Sequence, residues 1–246
     1  MNAPLVACLA VTTILFSISC THQSVEDDFI PASNYYPFRT GNFIIYTVDS
    51  IQYHETQPTD TSHYVVKEMI ADTFYDNENR LNYTIERYAK KNDTGSFFLQ
   101  NIWAVLEVNG RIQKIEDNLR FIKLVSSVRQ DETWEGHAYL GGLDDIPVPE
   151  ECNNYSFLED WVFEYSSVAE PFQINEFYFD NTVTVEETGS LNLLEYNYAK
   201  EIYAENIGLI YKEFYHYTDD DIDCPECSWL EHVECGYSVV MKVIEF

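Results

Sequence analysis

Cys224-Pro225-Glu226-Cys227, followed by His232 and Cys235, is the cluster in this chain with the most distinctive chemistry. Three thiolates and an imidazole at such spacing could close a tetrahedral zinc site. The same three cysteines with Cys152 also make an even set of four, which could form disulfides. A redox role for the Cys-x-x-Cys pair requires a helix opening in a βαβ setting, and this pair follows an acidic stretch between extended segments. That stretch, Asp219-Asp220-Asp221-Ile222-Asp223, alternates carboxylates as calcium loops do. An EF-hand loop begun at Asp219 would need Gly at its sixth position and Glu at its twelfth, where this chain has Cys224 and Leu230. A solvated acidic turn is the simpler reading.

The other polar residues form no recognisable catalytic set. His54, His63, His137 and His216 are scattered, with no His-Glu-x-x-His spacing. The chain has no Gly-x-Ser-x-Gly, phosphate loop or dinucleotide fingerprint. Its 42 Asp and Glu make carboxylate pairs too common for sequence to select one. We therefore expect no catalytic residue, no resident metal and no cofactor, and a protein that is not an enzyme.

The N-terminus sets the compartment. Leu5 to Ile18 is an uncharged apolar run, ending in Ser17-Ile18-Ser19 directly before Cys20. This is a secretory signal cleaved ahead of a cysteine, and it is shorter than a membrane span requires. It resembles bacterial lipoprotein signals, in particular the loose form used by Bacteroidota. It departs from the stricter pattern in having Ser17 in place of Leu and no Lys or Arg in Met1-Asn2-Ala3-Pro4. The resemblance implies that residues 1–19 are removed, that Cys20 is the lipidated residue, and that the protein meets its membrane through acyl chains. It also implies an outer-membrane location, periplasmic or surface-facing. Residues 20–32 read as a flexible tether. Glu26, Asp27 and Asp28 resemble the acidic residues that accompany surface export in Bacteroidota. In such an oxidising compartment disulfides among Cys152, Cys224, Cys227 and Cys235 are expected over zinc. Cys235 should pair with Cys224 or Cys227, leaving the other within reach of Cys152.

The formal net charge is −28, and Gln130 to Ala199 contains 16 Asp or Glu and no Lys or Arg. Such a field repels nucleic acid and anionic head groups, so nucleic-acid binding is excluded. Disorder is excluded as well, because aromatics make up 15% of the residues.

The elements that must position these residues are strands. Leu81, Tyr83 and Ile85 alternate with Asn82, Thr84 and Glu86, and Phe43 to Val48 is rich in β-branched and aromatic residues. Asn109-Gly110 between Leu106-Glu107-Val108 and Arg111-Ile112-Gln113 is a strong hairpin signal, since both turn residues need positive φ. Further strands are expected near 62–71, 97–108, 119–125, 161–168, 177–185, 191–203, 207–216 and 237–246. One segment fits two periods. Phe121, Leu124, Val125 and Val128 suit a helix, whereas Leu119, Phe121, Lys123 and Val125 suit a strand. Asp49-Ser50-Ile51 resembles the short acceptor pattern of Bacteroidota O-glycosylation and is expected just past a strand end. The expected fold is one mainly β domain over residues 33–246, an antiparallel multi-stranded sheet forming a sandwich or a curved half-barrel.

Four segments in order carry a resemblance across this domain. They are Tyr35-Tyr36-Pro37-Phe38-Arg39-Thr40-Gly41-Asn42, Trp134-Glu135-Gly136, Phe179 to Val185, and Tyr203 to Glu213 with its Gly208-Leu209-Ile210. Together they resemble a group of Bacteroidota outer-membrane lipoproteins of unassigned function. More distantly, the last segment is similar to periplasmic lipoprotein carriers with a curved sheet. The resemblance implies structural roles for these marks, with Gly41 and Gly208 at turns and Trp134 and Tyr211 in a core. The expected role is non-catalytic binding or scaffolding at the envelope, with a glycan or protein partner. A carrier of an apolar ligand, or an envelope hydrolase with an unidentified carboxylate pair, are the alternatives.

Overall fold

The structure is a computed structural model, and it describes residues 29–91, 95–141, 155–159, 161–219 and 228–246. Cys20, Cys152, Cys224 and Cys227 lie outside the described residues, as do Asp220 to Asp223.

Twelve strands form one antiparallel sheet. The first six are β1 (Phe43–Tyr53), β2 (Asp60–Tyr75), β3 (Leu81–Lys90), β4 (Phe98–Val108), β5 (Arg111–Glu116) and β6 (Leu119–Val125). The second six are β7 (Thr133–Glu135), β8 (Val162–Ile174), β9 (Phe177–Leu191), β10 (Glu195–Ala204), β11 (Gly208–Thr218) and β12 (Cys235–Glu245). The order across the sheet is β6-β5-β4-β3-β2-β1-β12-β11-β10-β9-β8-β7. Two meanders therefore run in opposite directions from the central β1–β12 pair, where Tyr46 lies opposite Val243 and Val48 opposite Met241.

A sheet this wide must curl to bury one face. It curls until its two edges meet. The Ile122 amide of β6 donates to the carbonyl of Gly136 (2.8 Å), just past β7, and the Trp134 indole donates to the carbonyl of Ile122 (2.9 Å). The Tyr165 hydroxyl on β8 both donates to and accepts from the Val125 backbone, at 2.8 Å each. Edge groups that would otherwise template aggregation are thereby occupied. The outcome is a nearly closed barrel, so the curved form of the expected β fold holds and the sandwich form does not.

The local readings resolve as the chemistry requires. Asn109 and Gly110 both take positive φ (52° and 72°) in the β4–β5 hairpin. Segment 119–125 is a strand, because Lys123 there finds buried anionic partners across the barrel, which a helical face would not supply. β1 runs to Tyr53, so Ser50 sits in mid-strand between Ser62 and Val239, not in the loop expected for a glycan acceptor. Packing begins ahead of residue 33. Ala32 is fully buried, and its amide donates to Ser126 Oγ (2.9 Å) while the Val128 amide donates to the carbonyl of Ile30 (2.8 Å).

Two aromatic groups flank the interior. Tyr35, Tyr36 and Phe38 enter where β1 begins. Tyr35 donates to Asn181 Oδ1 (2.8 Å), Phe38 stacks on Tyr83 (4.9 Å) and Tyr36 meets Tyr203 (6.4 Å). The second group comprises Phe157, His137, Trp161, Phe214 and Tyr237. Trp161 stacks on Phe214 at 5.7 Å and Phe157 on His216 at 3.8 Å. The carbonyl of Leu158 holds the His137 ring, and Asn197 Oδ1 holds the His216 ring at 2.6 Å.

Candidate functional site, a charged lumen inside the barrel

Between these aromatic groups lies a cavity of about 440 Å3, within the range of small-molecule sites. Strand pleat determines its lining, since alternate residues point inward. The inward positions are apolar for most of their run and then carry a charge: Tyr83, Ile85, Arg87 on β3; Ile112, Lys114, Glu116 on β5; Phe121, Lys123 on β6; Val183, Val185, Glu187 on β9; Glu201, Tyr203 on β10; and Leu209 then, past a bulge at Ile210, Lys212 and Phe214 on β11. With Glu68 on β2, these four cations meet four carboxylates, and Asp117 just past β5 adds a fifth to the lining, inside a chain that has 14 Lys and Arg against 42 Asp and Glu. Placing so many scarce cations indoors makes the lumen close to neutral within a strongly anionic protein.

The charges form two groups. In the first, Lys123 Nζ contacts Glu187 (2.6 Å) and Glu201 (2.9 Å), and Lys212 Nζ also contacts Glu201 (2.9 Å). The Tyr203 hydroxyl donates to the second oxygen of Glu201. In the second group, Lys114 Nζ contacts Glu116 (2.7 Å) and Glu68 (3.2 Å), while Arg87 Nε approaches Glu68 only to 3.4 Å. Trp103 lies against both cations of this group, 4.6 Å from Lys114 Nζ and 5.0 Å from the Arg87 guanidinium carbon.

The fields of the two groups overlap. Burial opposes ionisation of Glu116, but Lys114, Lys212 and Lys123 outweigh it and hold its carboxyl down to about 2. Burial opposes charge on Glu201 too, and Lys123 and Lys212 again prevail, so it stays well below the usual carboxylate range. Glu187 differs. Burial and the adjacent Glu201 charge outweigh Lys123 and push its carboxyl up to about 7. Two carboxylates sharing one ammonium are thus driven apart in acidity, the pattern that separates an acid from a base in hydrolases. Here, however, Glu201 is fully engaged by two ammoniums and a phenol, which leaves it little freedom to attack or abstract.

Sequence reasoning did not select any of these eight residues. The available signal was a charge on the apolar parity of a strand, as in Leu119, Phe121, Lys123, Val125. Of the residues singled out from sequence, the structure describes several away from the lumen, while His137 lines it. Cys235 is buried at the start of β12 and is disulfide-bonded, which removes it as a zinc thiolate. His232 Nδ1 lies 2.5 Å from Asp219 Oδ2, tying the short helix α1 (Trp229–His232) to the end of β11. His54 and His63 pair with Asp60 and Asp49 on the outside. Trp134 and Tyr211 pack against the two halves of the core, in the roles expected of them.

The histidines that flank the lumen give a pH dependence. Burial pushes His137 down to about 3 and His216 down to about 4. Between about pH 6.5 and these values the unfolded chain binds protons that the folded chain refuses, so stability falls as pH falls, by on the order of 3 kcal/mol or more per histidine. Glu187 acts in the opposite sense. Its raised value means that the folded state takes up a proton near pH 7, before the unfolded state does, so its contribution rises as pH falls towards 4.5. Urea titrations across this range should therefore show a net loss on acidification. The loss should be steeper in Glu187→Gln, and an unchanged slope in that variant would contradict the assignment.

No family model matches the chain, and no curated protein matches it. Among solved structures, it is similar to a candidate exported protein with a YmcC-like fold from Bacteroides fragilis. That match has 12% identity and a TM-score of 0.37, over 88% of this chain and 99% of that one. It is also similar to a candidate lipoprotein from Parabacteroides distasonis, with 11% identity and a TM-score of 0.32, over 85% of this chain and 97% of that one. At these scores neither likeness carries anything about ligand or chemistry.

Proposed function

We propose that this is a lipid-anchored envelope protein that holds a small amphipathic molecule in its barrel lumen and performs no chemistry on it. The observation that carries the reading is the lumen itself. One wall is apolar, with Ile44, Met69, Leu209, Val239 and Met241, and the other carries paired charges beside Trp103. Concave, mostly apolar sites with a few converging polar groups are where small ligands bind. An interior ligand is preferred here to the glycan or protein partner at the cell surface expected from the sequence, because the concave lumen supplies both the volume and the polar groups. The apolar run and Cys20 support export and anchoring at the outer membrane.

Native mass spectrometry of the full chain purified from its own host tests the reading. A bound mass of defined composition is expected. It should be absent from a variant whose lumen is filled by Val239→Trp. Two well-folded proteins, each at the bare mass of its own processed chain, would refute it. Anchoring has its own test: a fatty-acid analogue should label the wild type and not Cys20→Ala, and equal labelling of both would refute lipidation there.

The Glu187–Glu201 pair favours one second reading, an envelope hydrolase. Turnover of a glycoside, ester or peptide by the wild type, abolished in a folded Glu187→Gln variant, would establish it in place of the first.

A further inference from the structure

Of the eight charges that pair in the lumen, two keep open surface. The Lys212 side chain is 21% exposed and that of Glu116 24%, whereas Glu68, Arg87, Lys114, Lys123, Glu187 and Glu201 lie at 13% or below. Both line the cavity. Their strands, β11 and β5, stand six places apart in the order of twelve and so form opposite walls. Each group is only partly used. Among the described residues Lys212 Nζ contacts Glu201 alone (2.9 Å), and Glu116 contacts Lys114 alone (2.7 Å). An ammonium has three donors and a carboxylate about four acceptor sites, so both have capacity to spare. They form no ion pair with each other, yet each acts on the other through the space between them. Burial opposes the charge on Lys212, but Glu201, Glu116 and Glu187 outweigh it and hold the ammonium protonated. Burial opposes charge on Glu116 likewise, and Lys212 is among the lysines that keep it ionised.

We propose that the lumen binds a short apolar peptide with free termini, its α-ammonium on Glu116 and its carboxylate on Lys212. This rests on the interior-ligand reading above and deepens it. A ligand that displaces water from between two fixed opposite charges must bring a cation to one and an anion to the other, because a charge buried without a partner is costly. A singly charged ligand would serve one wall and strand the other. The lining also holds Asp117, whose Oδ1 already accepts from Asn101 (3.0 Å) and Trp103 (3.2 Å). A zwitterion adds no net charge, so it is accommodated whether or not Glu187 carries its proton. Each charged anchor has an apolar neighbour in the lining. Leu119 lies opposite Glu116 in the β5–β6 pair, and Met241 lies opposite Lys212 in the β11–β12 pair. One apolar side chain beside each terminus is what a dipeptide of two apolar residues presents, and a cavity of about 440 Å3 has room for it. Burying those side chains supplies the apolar share of the affinity.

Three peptides separate these terms: Leu-Leu, N-acetyl-Leu-Leu, which lacks the ammonium, and Leu-Leu amide, which lacks the carboxylate. Each is titrated into the full-length protein at pH 7 by calorimetry. Leu-Leu is expected to bind at least about tenfold more tightly than either blocked form, the worth of a hydrogen bond to a charged group. Glu116→Gln should lose about that factor for Leu-Leu and nothing for the acetylated peptide. Lys212→Met should lose it for Leu-Leu and nothing for the amide. Glu213→Gln on the outer face should change none of the three. Circular dichroism checks that each variant is folded, and the comparison within the wild type needs no variant. Blocked peptides that bind as tightly as Leu-Leu would overturn the proposal, as would wild-type affinity for Leu-Leu in folded Glu116→Gln and Lys212→Met. Equal losses for all three peptides would show that the two residues only shape the lumen, and would overturn it too. If none of the three binds while the native protein carries a bound mass, this inference falls and the interior-ligand reading stands. If no bound mass is found either, both fall.

Discussion

Lys123→Met should lower the stability of this protein by about 3–5 kcal/mol, measured as a shift of the urea transition at pH 8. Lys123 is 7% exposed and its ammonium holds Glu187 and Glu201, which are 3% and 2% exposed. Methionine fills nearly the same volume, so the loss is electrostatic and not a cavity effect. Glu201 keeps Lys212 and Tyr203, but Glu187 loses the only partner it has among the described residues. At pH 8 it must either remain charged and unpaired or take up a proton against the solution pH. Both are unfavourable, and both are avoided if the carboxyl is also removed. Lys123→Met with Glu187→Leu should therefore recover most of the loss, since replacing a buried pair by apolar residues is often neutral. A single variant within 1 kcal/mol of wild type, on the scale of an exposed pair, would show that Lys123 is solvated and not held in a buried pair with Glu187 and Glu201.

The contrast between Lys123 and the strand that carries it shows how much of this protein was legible in advance. Period two was readable in almost every strand, because a half-buried sheet forces alternation. The hairpin at Asn109-Gly110 was readable because its chemistry is local. β7 was not: three residues, Thr133 to Glu135, are too few to show a period, and the strand owes its place to Trp134 reaching across to Ile122. The lumen was hidden for a related reason. Lys114, Lys123, Glu187, Glu201 and Lys212 sit on five different strands, and their partners are set by closure of the barrel, which no single segment encodes. The Cys-x-x-Cys and most of the acidic run fall between β11 and β12 outside the described residues, and the described residues beside them, Cys235 and the His232–Asp219 pair, lie apart from the cavity.

Gly236→Ala should be about as damaging as loss of the lysine, costing about 2–5 kcal/mol through strain and overpacking together. Gly236 has φ of +131°, a region that L side chains rarely adopt. A Cβ there would lie 2.0 Å from the carbonyl oxygen of His216, and that oxygen belongs to the backbone of β11 and cannot rotate aside. Relief would require β11 and β12 to separate where Gly236 faces Tyr217 and Tyr53. That is beside the disulfide-bonded Cys235 and beside His216, whose buried ring stacks on Phe157. The variant should consequently lose near-ultraviolet circular dichroism from this aromatic group before the far-ultraviolet β signal changes. Gly141→Ala supplies the control, because a Cβ at that position meets nothing within 4 Å and should leave both signals and the urea midpoint unchanged. A Gly236→Ala protein with the wild-type midpoint would mean that β12 does not pass as close to β11 as its register requires. The inward parity of Tyr237, Val239 and Met241, and with it the apolar wall of the lumen, would then have to be reassigned.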